Sequence, residues 1–148
     1  ESLNMIDNLT VDMHGNILLQ EDVGGQQHNG KIARYNPKSG SIEFIVQHDT
    51  ARFGDVGSGA TAPFNQDEEF SGIVDITDIR ADSALNGTDA SKRWYLFDDQ
   101  AHYSLGGAQV EGGQLLIMAV PEPASATAIM SFGLMGLSML RRKRAARA

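Results

Sequence analysis

What most limits the fold is the spacing of turn signals in the first 118 residues. Short alternating or apolar runs are cut again and again by Gly, Asn and Asp, and no window keeps a 3.6-residue period. Met13-His14-Gly15-Asn16 reads as a tight hairpin, with Gly15 free to take positive φ. Asn36-Pro37-Lys38-Ser39-Gly40 reads as a second, with Pro37 pre-set for the first central turn position. The pattern predicts strands at 8–12, 17–21, 31–35, 41–47, 71–76, 93–98 and 114–118. The expected class is all-β.

Four consecutive antiparallel strands make one propeller blade. The first four runs fit one blade, and the last three fit a second that lacks its outer strand. Residues 1–118 therefore read as a partial β-propeller of about two blades, the C-terminal part of a larger ring. A two-sheet sandwich is the rival. The segments 49–68 and 78–92 read as long irregular loops, of the length that is usually functional or mobile. Within the second, residues 82–89 look superficially like a calcium loop, but the Asp-x-Asp-x-Asp-Gly order and late Glu of an EF-hand are missing.

Charge narrows the chemistry. Residues 1–118 hold seven Lys/Arg against 18 Asp/Glu, a balance of −11 within a total of −7. Such a surface repels nucleic acid and favours cations. The absence of Cys excludes disulfides, thiolate catalysis and thiolate-bound zinc. Ser71 stands in Phe-Ser-Gly-Ile, not in the Gly-x-Ser-x-Gly of hydrolases, and no phosphate-binding or dinucleotide fingerprint occurs.

The acids gather at strand ends. Glu21-Asp22 closes the second run, Asp67-Glu68-Glu69 opens the fifth, Asp98-Asp99 closes the sixth, and Glu111 precedes the seventh. Carboxylates collected at one face repel each other unless a cation neutralises them, and hard oxygen donors suit calcium, magnesium or an oxygen-liking transition metal. The other reading makes them solvated hairpin ends. His102 reads as a metal ligand, a general base or neither. His14, His28 and His48 read as surface residues. Trp94, Tyr95 and Phe97 are expected in the core.

The C-terminal part is of a different kind. Residues 124–140 carry no charge and would span about 25 Å as a helix at ~1.5 Å per residue, near the short end of what crosses a bilayer. Arg141, Arg142, Lys143 and Arg144 follow, so the body would lie outside and the last residues inside. Pro121 and Pro123 keep the preceding segment extended. The expected domains are a propeller part at 1–118 and a targeting part at 119–148. The second divides into Pro-Glu-Pro, a transmembrane helix at 124–140 and a basic tail at 141–148.

Pro121-Glu122-Pro123, the apolar stretch and the Arg141–Arg144 cluster resemble the PEP-CTERM sorting signal of Gram-negative bacteria. That resemblance implies export and a transient inner-membrane anchor. It also implies processing by exosortase and delivery to the cell surface or exopolysaccharide matrix. The route needs a signal peptide. The chain opens on Glu1, so an upstream segment is expected.

Three further stretches lie at 7–22, 68–72 and 94–114. They include Asp-Asn-Leu-Thr-Val-Asp, Glu-Glu-Phe-Ser-Gly and Trp-Tyr-Leu-Phe-Asp-Asp-Gln-Ala-His. Together they resemble PhoX-type alkaline phosphatases and their phytase-esterase-like propeller relatives. The resemblance implies calcium and iron at the channel mouth and a phosphate ester as substrate. Carried over by position, Glu21 and Glu69 are the expected metal ligands, with Asp7, Asp22 and His102 beside them. The Cys of that family's iron site has no counterpart here.

Overall fold

The computed structural model describes residues 2–81, 92–107 and 111–121. They form two antiparallel sheets. The first runs in chain order through β1 (Ile6–Val11), β2 (Ile17–Glu21), β3 (Lys31–Asn36) and β4 (Ser41–Gln47); the second is β5 (Glu69–Asp75), β6 (Lys92–Ala101) and β7 (Gly112–Pro121). The expected four-plus-three arrangement of strands is met, and the described residues are mostly β. The two sheets pack face to face, and among the described residues they close into neither a ring nor a barrel.

The turn chemistry explains the first sheet. Gly15 takes φ 79°, its N–H donates to the Asp12 carbonyl, and Asp12 N–H donates to the Asn16 carbonyl. Register follows at once: Val11 pairs with Ile17 and Leu9 with Leu19. At the second turn the Asn36 side chain accepts from the amides of Lys38 and Ser39, an Asx-turn that lets Gly40 N–H close onto the Asn36 carbonyl.

Alternation then sorts the side chains. Leu18 and Ile32 of the first sheet meet Phe70, Ile73, Tyr95, Phe97 and Val120 of the second in one buried cluster. Tyr95 and Phe97 are core residues as expected, whereas Trp94 is only half-buried and lies under the Arg80 guanidinium, 4.2 Å from its ring centroid. The opposite faces are also apolar: Leu9, Val11 and Ile42 are exposed on the first sheet, and Val74, Leu115 and Ile117 on the second.

The segment 49–68 is less irregular than its sequence suggests. Asp49 caps the single-turn α1 (Thr50–Phe53) by accepting from Ala51 N–H. Gly54 ends it at φ 78°, where a Cβ would lie 2.6 Å from the Ser58 carbonyl oxygen; only glycine fits. Rings hold the segment to the body. Tyr103, Phe64, Phe53, His48, Phe70 and Phe97 form a continuous row with centroids 3.8–5.8 Å apart. A second short helix, α2 (Thr77–Ala81), follows β5. Neither helix was expected.

Among the described residues no helix is long and apolar enough to cross a membrane. The stretch 124–140, the Arg141–Arg144 cluster, Glu122, Pro123 and the acidic loop 82–89 lie outside the described residues.

Candidate functional site

The end of β2 and the start of β5 lie side by side where the two sheets meet, so Asp22 and Glu69, both expected at strand ends, come together there. Glu69 opens β5 and is half-buried. Burial first, then the hydrogen bond and charge of Asp22 and the charge of Asp7, push its carboxyl up to about 7; His102 pulls the other way. Four of the five residues expected as ligands therefore share one electrostatic neighbourhood.

Each has local anchors. Asp7 sits at the β1 irregularity between Ile6 and Asn8, is exposed, and accepts from the Asn8 amide at 2.6 Å. Asp22 accepts from Gly24 N–H at 2.9 Å. His102, directly after β6, meets Glu111 through Nδ1 at 3.2 Å and the Gln100 amide through Nε2 at 3.2 Å. Glu21 stands apart. It is fully buried, accepts from Asn4 N–H at 2.7 Å through Oε1, and leaves Oε2 without a partner.

The arrangement leaves the Glu69 carboxyl partly protonated near neutral pH. As it stands it is a like-charge pair with a third carboxylate nearby. Among the described residues no three His, Cys, Asp or Glu side chains are grouped to hold a metal ion.

Two further polar ties cross between the sheets, and sequence reasoning assigned a role to neither. Asp12 is buried at the first hairpin. Its Oδ1 accepts from the amides of His14 and Asn16, and its Oδ2 accepts from the Asn16 side chain and the Tyr95 hydroxyl. Burial opposes its charge, yet these four bonds outweigh burial and hold its carboxyl below the usual range. Burial and the Asp12 charge in turn raise the Tyr95 phenol. In the second tie His48 Nε2 lies 2.9 Å from Asp99 Oδ1, while the ring stacks on Phe70 at 3.8 Å. His48 is buried, not a surface residue, because β4 delivers it against β5 and β6.

An acidic, antiparallel two-sheet body with a carboxylate junction at its seam is the class that fold and site define. The end of the chain says more. Residues 119–144 match the family model of the PEP-CTERM protein-sorting motif. That motif marks proteins exported and processed at the membrane, and exosortase is the processing partner it implies. Comparison of the chain with curated proteins and with solved structures finds no match, so the propeller and phosphatase resemblances gain nothing from those comparisons.

Proposed function

We propose that this chain is an exported surface module. Its acidic β-body is carried across the inner membrane, held there by the segment 124–140, and released to the cell surface or matrix when exosortase processes the Pro-Glu-Pro region. The observation that carries this reading is the motif at 119–144, which begins inside the last strand of the folded body. Body and signal share Ala119, Val120 and Pro121 with no linker between them. The exposed apolar outer faces support taking the two sheets as neighbouring propeller blades, each flanked by another sheet. In this role calcium at Asp7, Asp22 and Glu69 stiffens the seam, and exopolysaccharide is the partner.

The test is fractionation of the full chain in a host that has exosortase, with a reporter after Ala148. The expected result is a cytoplasmic reporter, loss of the tail, and a body recovered at the surface. The double variant Pro121→Ala, Pro123→Ala should keep its tail and stay in the inner membrane. A periplasmic reporter, or an intact chain in the cytosol, overturns the reading.

A second reading, metal-dependent hydrolysis of phosphate esters with calcium and iron, draws on one observation: the junction of Glu69, Asp22, Asp7 and His102. There a metal would polarise the phosphoryl oxygen. Turnover of p-nitrophenyl phosphate that follows added metal and is lost in Glu69→Gln would favour it. A melting temperature raised by calcium without turnover favours the scaffold.

A further inference from the structure

A narrow cleft is lined by Val23, His28, Asn29, His48, Phe53 and Glu68 among others. Three of its lining side chains carry a buried polar atom with no hydrogen-bond partner: His28 Nε2, Asn29 Oδ1 and Glu68 Oε2. Leaving such an atom unpaired carries the full desolvation penalty of the group.

Local geometry fixes two of them. Asn29 is 3 % exposed, and its amide nitrogen donates to the Gly54 carbonyl at 2.8 Å. Flipping the amide would break that bond, so Oδ1 has to present its lone pairs where it does. Glu68 is 1 % exposed; Oε1 accepts from Asn65 N–H at 3.2 Å, which leaves Oε2 free. The backbone of Gly30 closes the cleft tightly, since a Cβ there would lie 2.9 Å from His48 Nδ1. His48 is itself engaged by Asp99.

We propose that His28 Nε2, Asn29 Oδ1 and Glu68 Oε2 form a binding site for a divalent transition-metal ion. All three atoms offer lone pairs: an imidazole nitrogen, an amide oxygen and a carboxylate oxygen. A mixed nitrogen and oxygen set suits zinc, cobalt or manganese better than calcium, which takes oxygen alone. One donor is an amide, so the set is not a grouping of three His, Cys, Asp or Glu. The site is separate from the junction of Asp7, Asp22 and Glu69 and does not depend on the function proposed above.

The experiment uses the full 148-residue chain in detergent, stripped with chelator and titrated with Co²⁺ or Zn²⁺ in millimolar calcium. Calcium occupies any all-oxygen site and leaves this one open. Calorimetry should give one ion per chain. Glu68→Gln and His28→Gln, each checked for native circular dichroism, should each weaken binding by about tenfold or more. In the unaltered chain, the His28 ring resonances should shift with the first equivalent of Zn²⁺, before those of His14 and His102. The proposal is overturned by the absence of stoichiometric binding, by a first shift at another histidine, or by undiminished affinity in both variants. Any of these would leave the orphaned atoms to a buried water.

Discussion

Replacing Glu69 by Gln tests the acidic junction most directly. In the unfolded chain this carboxyl titrates near 4.5, and in the folded chain near 7. The folded state therefore binds more protons between those values, and stability must fall as pH rises through that window and level off above it. At face value the displacement corresponds to about 3 kcal/mol. Half-burial and salt screening reduce it to about 1–2 kcal/mol. Gln is close in shape to the protonated acid, so the variant should match the parent at pH 5. At pH 8 it should be more stable by that amount, or about 4–8 °C in melting temperature. The assay is a set of thermal melts of the full chain from pH 5 to 8, followed by circular dichroism. Comparing the two proteins cancels Glu68, whose carboxyl is also raised by burial. Calcium at pH 8 should raise the parent and raise the variant less. Parallel pH profiles for the two proteins would refute the reasoning, because Glu69 would then feel neither burial nor Asp22.

The ties between the sheets give two further expectations. Tyr95→Phe removes one of four bonds to Asp12 and should cost about 1–2 kcal/mol in urea denaturation; an unchanged midpoint would mean that the hydroxyl bond contributes nothing. His48→Ala leaves Asp99 buried without its partner and removes the stack on Phe70, so about 2–4 kcal/mol should be lost. A loss below about 1 kcal/mol would show that water re-enters to solvate Asp99.

The strands were legible because their signals are local. Gly15 and the Asn36 turn fix two hairpins within a few residues, and period-2 alternation does the rest. The sixth strand was read as stopping at Asp98 but runs to Ala101. A pair of aspartates looks like a solvated end; Asp99 stays in the ladder because His48, 51 residues away, meets it across the seam. The same separation hid His48, since nothing adjacent to it in sequence announces burial. The helix α1 is one turn long and too short to show a period, although its Asp49 cap and Gly54 stop were both in view. Asp7 was indicated only by the resemblance to PhoX-type phosphatases, whereas Glu69 and Asp22 could be singled out because strand ends converge wherever two meanders pack. Glu21 shared that signal but is turned to Asn4 instead. His28 and Asn29 lie in a Gly-rich connection that carries no motif, and only the cleft makes them visible.

The overlap of the last strand with the sorting motif ties folding to processing. Val120 is buried in the core at 6 % exposure, and Ala119 and Pro121 pair in register with Trp94 and Lys92. A break on the N-terminal side of Val120 would remove a core residue and unpair the start of β6 at Lys92 and Arg93. A break after Pro121 leaves all seven strands and the whole core in place. The body can therefore keep its whole core through release only if the processed bond lies C-terminal to Val120. Pro121 suits that boundary: without an N–H it cannot extend the ladder, and it ends the sheet where the signal must begin to act as a separate segment.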